Sequence, residues 1–239
     1  MLIDASGLEH RALNEKIKES GTDCRVTGCC GQRFIGAGMG GCDITVDGVP
    51  GNALGAYLNG GTITVNGNAQ DAVGDTMNAG TIVINGSAGD AAGYAMRGGR
   101  IFIRDNAGYR AGIHMKAYRD NVPVMVIGGC AGSFLGEYQA GGIIVVLGLG
   151  CGPGRIVGDF PSAGMHGGKL FLRCSENEVA FPPQVHVRPL TPDDREELTK
   201  VLSDFCGFFG LESSGILDDE FIVAVPDSSN PYRQLYAAN

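Results

Sequence analysis

The residue types able to do chemistry gather in a few short stretches of this 239-residue chain. Cys24, Cys29 and Cys30 lie close enough to suggest a metal site. Zinc sites generally take two C-x₂₋₄-C pairs, and those are absent, so the three read as buried small hydrophobes or inert thiols. Gly36-Ala37-Gly38-Met39-Gly40-Gly41 matches the G-x-G-x-x-G dinucleotide fingerprint. That motif needs a helix opening at its third glycine, whereas Asp43-Ile44-Thr45-Val46 reads as a strand, so the match is rejected. Asp71 and Asp90 align with Asn52 at equal spacing, but no Lys or Arg accompanies them to complete an acid–base site of the kind that cleaves polysaccharides. No residue is therefore assigned a catalytic, cofactor-binding or metal-binding role. The dense mix of charge and aromatic side chains is His114 to Asn121, where His114, Lys116, Tyr118 and Arg119 fall together. With Tyr232, Arg233 and Tyr236 near the end of the chain, they are candidates for partner contact, since Tyr and Arg are favoured at interface centres.

What positions these residues is a 19-residue repeat between Gly36 and Met115. Gly36, Gly55, Gly74, Gly93 and Gly112 recur at that spacing, as do Met39, Leu58, Met77, Met96 and Met115. Ile44, Ile63, Ile82 and Ile101 form a third column, and Val46, Val65, Ile84 and Ile103 follow two residues later, as one face of a strand requires. Such self-similarity defines a solenoid. The period is too short for helical repeats, lacks the leucine-rich signature, and is a multiple of neither six nor nine. The expected fold is all-β: a single-stranded right-handed parallel β-helix of about seven coils, with helical caps at both ends. The glycines suit its corners. The Asp47, Asn66 and Asn85 column is expected to form an amide ladder along the rod.

The flanking segments complete one domain over residues 1–239: an N-terminal cap (1–35), the β-helix (36–175), and a C-terminal helix with a docking tail (176–239). Ser6-Gly7-Leu8-Glu9 reads as a capping box opening a helix to Ser20, over the first coil. Thr191-Pro192-Asp193-Asp194 opens another, with Leu198, Val201, Leu202 and Phe205 on one face and Gly207 at its end, read as a cap over the far end. The repeat is interrupted after Gly112: the next strand, Val124-Met125-Val126, starts 23 residues after its counterpart, so four residues are inserted. Another insertion, Gly148 to Gly158, precedes the seventh coil.

Composition narrows the function classes. A net charge of −8 and the absence of tryptophan argue against a nucleic-acid partner. The longest apolar run, Ile143 to Leu147, is too short to span a membrane, and Met1-Leu2-Ile3-Asp4 is not a secretory signal. The eight cysteines show no disulfide framework, which points to a reducing cytoplasm.

The segments GQRFIGAGMGG, GNAQDAVGDTMNAG, GEYQAGGIIVVLGLG and SAGMHGG resemble the C-terminal β-helical (GXGXG) domain of the glutamate synthase large subunit. In particular they resemble its free-standing version, found where that subunit is split into separate chains. The resemblance implies a non-catalytic scaffold that supports an amidotransferase chain and an FMN-binding synthase chain. FMN and an iron–sulfur cluster are then expected in the synthase chain and no cofactor in this one. Consistent with that division, the first cysteine is Cys24, so there is no N-terminal nucleophile. Of the family's C-x₅-C-x₄-C cluster ligands, Cys24 and Cys30 match the first spacing, but the third position is Ile35. The β-helical subunit of formylmethanofuran dehydrogenase has a similar repeat and is the alternative; an independent β-helical enzyme such as a polysaccharide lyase is a second. Self-association into a homo-oligomer is left open.

Overall fold

The computed structural model describes residues 1–152 and 154–227. The chain runs β1 (Leu2–Asp4), α1 (His10–Ser20), β2 (Cys24–Cys30), β3 (Ile44–Val49), β4 (Asn59–Asn66), β5 (Ala79–Ile84), β6 (Arg100–Ile103), β7 (Val124–Ile127), β8 (Ala140–Val146), β9 (Gly167–Leu172), β10 (Val185–Pro189), α2 (Pro192–Phe209), α3 (Ser213–Leu217) and β11 (Ile222–Pro226). From β1 to β9 every neighbouring pair is parallel and in chain order; β11 and then β10 are added antiparallel at the far edge. This is a parallel β-solenoid of about 8 turns.

The apolar columns fix the register. Ile44 pairs with Ile63, then Ile82, Ile101, Met125, Ile144 and Leu170, and all are essentially inaccessible to water. Two residues on, Val46, Val65, Ile84, Ile103, Ile127, Val146 and Leu172 do the same. Past each strand a second contact line runs along the rod, where Ala69, Ala88, Ala107, Ala131 and Val157 bridge in parallel. The methionine column closes the interior: Leu58, Met77, Met96, Met115 and Met165 are buried. Met39 in the first repeat is only partly covered. Gln139 takes the methionine place in the sixth coil, fully buried, donating through Nε2 to the carbonyls of Gly141 and Gly142 at 3.3 and 3.1 Å.

Each coil turns its corner through three alternate residues in the left-handed region. In the second repeat these are Ala53, Gly55 and Tyr57, with φ of 63°, 64° and 58°. The Ala53 and Tyr57 amides donate forward to the carbonyls of Asp71 and Asp75, and the Gly55 amide donates back to Ile35. The third and fourth repeats follow the same pattern, so the strained conformation is what satisfies every second amide from the adjacent coils. At the middle position of the third coil a Cβ has no room: built on Gly74 it would lie 2.6 Å from Ile101 Cδ1. The outer two positions carry Ala, Tyr, Thr, Arg, His or Phe despite the φ penalty, and Tyr57, His114, Tyr138 and Phe160 among them are exposed to solvent.

The ends depart from expectation. The parallel sheet reaches back beyond residue 36, because β1 and β2 pair in it through Ile3↔Val26 and Val26↔Val46. α1 starts at His10, four residues after the expected cap, because Ser6 is held in a turn by its amide donating to Asp4 Oδ1 at 2.9 Å. Its Leu13 and Ile17 enter the same core as Ile3, Val26 and Ile35, closing that end. The Thr191 capping box forms as expected, but α2 continues through Gly207 to Phe209 and ends at Gly210 in the left-handed conformation.

α2 does not cap the end of the rod. Leu198, Val201, Leu202 and Phe205 pack on the outward side chains of the sheet, Phe102, Val126, Val145 and Phe171, forming a second core. The physical reason is that the outward positions are polar at Thr45 and Thr64 but apolar from Val83 onward, so this part of the sheet needs covering on both faces. One buried carboxylate ties α2 down: Asp194 pairs with Lys169 of β9 at 2.8 Å and Arg188 of β10 at 2.5 Å, and also caps Thr191. Burial alone would raise the Asp194 pKa; the hydrogen bonds from Arg188, Lys169 and Thr191 outweigh it and hold the carboxyl well below its usual range.

Met77→Asp, which puts an unpaired charge in the interior, should cost more than about 4 kcal/mol, whereas Thr45→Asp on the outward face beside Arg25 should cost under about 1 kcal/mol. Denaturant melts of the two variants measure the difference, and equal small losses would mean the register is misassigned. Asp194→Ala should cost about 3 kcal/mol by removing the carboxylate that Arg188 and the Thr191 cap share, while Lys169 keeps its pair with Glu197. Because the folded pKa of Asp194 is depressed, its stabilisation is present at neutral pH and declines as pH falls below about 4. The gap between Asp194→Ala and the parent should therefore begin to narrow between pH 4 and 3 without closing, as melts from pH 7 to 3 would show.

Candidate functional site

The polar columns along the rod are used structurally. Asn66 Nδ2 donates to Asp47 Oδ1 at 2.8 Å and Asn85 Nδ2 to Asn66 Oδ1 at 3.2 Å, which is the expected ladder, and Arg25 pairs with Asp47 at its start. Asp71 Oδ1 accepts the Asp90 amide at 2.9 Å, and Asp90 Oδ1 accepts the Tyr109 amide at 2.8 Å. These carboxylates tie one coil to the next and do not converge on a reaction centre.

The buried cysteines are equally unsuited to nucleophilic work. Burial pushes the Cys29 thiol up to about 11, and burial with the nearby Glu178 and Glu220 charges pushes Cys174 up to about 12. Cys130 and Cys151 form a disulfide, with Cα atoms 6.3 Å apart, which corrects the expectation that no cysteines pair. The insertion from Gly148 folds back over the preceding coils and brings Cys151 beside Cys130, a meeting that their 21-residue separation does not announce. Among the described residues no group of three or more His, Cys, Asp or Glu could hold a metal ion, and no helix is long and apolar enough to cross a membrane.

The interrupted repeat is different, because it carries exposed side chains on a rigid corner. His114 occupies the third left-handed position of its coil, at φ 56°. Its ring stacks on Tyr138, 5.2 Å between centroids with planes 9° apart, and meets Tyr94 edge-on at 5.9 Å. The inserted residues form a tight turn in which the Tyr118 amide donates to the Asn121 carbonyl and the Asn121 amide to the Tyr118 carbonyl, both at 3.0 Å. Arg119 lies over the Tyr118 ring at 5.3 Å. Lys116 and Tyr118 line an open cavity of about 490 Å³ together with Asn78, Arg97 and Asn121. The structure thus brings His114, Lys116, Tyr118 and Arg119 into one neighbourhood. Tyr232, Arg233 and Tyr236 lie outside the described residues.

Sequence reasoning missed half of this face. A second aromatic row follows the first left-handed position of later coils: Tyr109 meets Phe134 at 5.3 Å, and Phe134 meets Phe160 at 5.2 Å. Arg110 lies over both Tyr109 and Phe134 and pairs with Glu137 at 2.8 Å. The signal was present in the columns: Ala53, Ala72 and Ala91 give way to Arg110, Phe134 and Phe160 at equivalent positions. Rings replace methyl groups where the corner faces water, which core packing does not require.

The rod, its left-handed corners and its ring-bearing ridge define a parallel β-solenoid whose distinctive surface is a row of aromatic and cationic side chains along one corner. The chain belongs to the GXGXG motif family, whose model matches residues 9–227. It is a β-helical domain of that family. An uncharacterised protein of Methanocaldococcus jannaschii is 41% identical over 250 residues, covering 99% of this chain and 96% of that protein. Among solved structures, a chain of the formyltransferase/hydrolase complex (FhcABCD) from Methylorubrum extorquens, in complex with methylofuran, aligns with a TM-score of 0.61 and 26% identity, covering 83% of this chain and 71% of that one.

Thiol mapping checks the buried-cysteine assignment. At pH 8 a thiol of pKa 11 is thiolate for only about one part in a thousand, so Cys29 and Cys174 should resist iodoacetamide in the folded protein while exposed Cys30 reacts. Peptide mass spectrometry after a short native pulse reads this, and early labelling of Cys174 would contradict its burial.

Proposed function

We propose that this chain is a non-catalytic structural subunit that holds partner chains of a multi-subunit enzyme against its ridge. The observation that carries the reading is the run of exposed rings and guanidinium groups from Tyr94 to Phe160 on corners that the fold itself leaves uncovered. Tyr and Arg on a rigid scaffold supply contact area at small entropic cost. The polar columns, meanwhile, are consumed by coil-to-coil bonding.

The finer reading is a subunit of a split glutamate synthase. It rests on the GXGXG family membership and on the resemblance of the corner segments. In that assembly the chemistry, with its FMN and iron–sulfur cluster, belongs to the synthase chain, and glutamine hydrolysis to the amidotransferase chain. A second reading, a subunit of a formyltransferase/hydrolase-type complex, is favoured by the likeness to a chain of FhcABCD, which is itself a multi-subunit assembly.

Co-expression separates the two. The chain should co-elute on size exclusion with the FMN-binding synthase chain of its own organism, and should itself show no flavin or cluster absorption. Tyr118→Ala with Arg119→Ala, or truncation after Ser229, should weaken that complex at least tenfold while leaving the circular dichroism of the isolated chain unchanged. Co-elution instead with formyltransferase/hydrolase-type chains would favour the second reading. Flavin or cluster bands in the isolated chain would overturn both.

A further inference from the structure

The column of residues that begins at Asn59 runs on through Asn78, Arg97 and Lys116, each 19 residues after the last. Their amides donate in the same way to the preceding coil, to Met39, Leu58, Met77 and Met96, so the four side chains leave the rod at equivalent places. Adjacent coils are spaced about 4.8 Å apart, so Arg97 and Lys116 stand side by side as like charges, an arrangement that is destabilising when nothing neutralises it. Neither side chain has an ion pair among the described residues, although this acidic chain pairs Arg25, Arg100, Arg110, Lys169, Arg173 and Arg188 with carboxylates.

The inserted turn stands beside these two cations and forms one wall of a cavity with them. Its seat depends on glycine at two flanking positions. A Cβ on Gly98 would lie 2.2 Å from the Asn78 carbonyl oxygen and 3.3 Å from Asn121 Cβ; on Gly141 it would lie 2.5 Å from the Ala117 nitrogen. The resulting cavity, about 490 Å³, is lined by Asn78, Asn121, Tyr118 and the two cationic residues, and by no Asp or Glu. Asp120 belongs to the same turn but is not among the lining residues. Arg119 sits beside the cavity over the Tyr118 ring.

We infer that this cavity is a binding site for a small oxyanion carrying at least two negative charges, a phosphoryl compound or a dicarboxylate. The guanidinium of Arg97 suits the planar or forked oxygens of either group, Lys116 supplies a second charge, and the amides and phenol supply neutral donors. The volume falls in the range of small-molecule pockets. The site stands on this chain's own geometry and holds whether or not the chain is a scaffold subunit.

The test is titration calorimetry of the full chain at low ionic strength with inorganic pyrophosphate and, separately, with succinate. Saturable 1:1 binding of at least one probe, tighter than about 1 mM, is expected, and the tighter probe assigns the ligand to the phosphoryl or the carboxylate class. Arg97→Ala and Lys116→Ala should each weaken it at least tenfold. Lys18→Ala, on α1, should leave it unchanged, and raising the salt to 0.5 M should weaken it through screening. Both variants change exposed side chains, and circular dichroism checks that they fold. Binding of neither probe, or binding that survives both substitutions, overturns the assignment.

Discussion

The structure depends on one constraint: each coil must satisfy its backbone with the coil before it and the coil after it. At the corner this is met by alternating left-handed residues, whose amides point forward, backward and forward again. A coil has no hydrogen-bonded existence alone. The period must therefore stay at 19 wherever the corner, the strand and the Ala69–Ala88 bridge line are all to stay in register. Insertions are tolerated only between these segments. They appear as the turn at Tyr118–Asn121 and as the loop pinned by the Cys130–Cys151 disulfide.

That constraint explains why so much of the fold could be read from the chain. Strict periodicity means that each buried residue is stated several times, and the Ile44 and Val46 columns pair as their spacing implied. Legibility failed where the sequence speaks only once. Ser6 offered a helix cap, but its amide was taken by Asp4, and α1 began later. α2 was recognisable as an amphipathic helix, yet its position depended on outward-facing residues of distant strands, Phe102, Val126, Val145 and Phe171. No local pattern records which apolar surface an amphipathic helix will cover.

The candidate site was legible in the same uneven way. The insertion announced itself as a break in the repeat, and the structure brings His114, Lys116, Tyr118 and Arg119 together there. The rings and cations within unbroken coils, Tyr94, Arg97, Tyr109 and Phe134, were hidden because they occupy positions at which other coils carry Asn, Ala or Asp. In a solenoid the informative residue is the one that departs from its column while the column itself continues.

The three surfaces of the rod consequently divide the work. Inward positions are held apolar by the stacked core, and the outward face of the later strands is claimed by α2. Side chains free of both duties gather at and just beyond the corner, where Tyr57, His114, Tyr138, Phe160, Arg97 and Lys116 are exposed to solvent. The outer two corner positions cost backbone strain for any residue other than glycine, yet Tyr57, Arg110, His114, Phe134, Tyr138 and Phe160 all accept it. Alanine would fill these places without exposing a ring to water. Retaining large aromatic and cationic groups in a strained, exposed conformation makes sense physically if a contact outside the chain repays it, and the proposed docking role supplies such a contact.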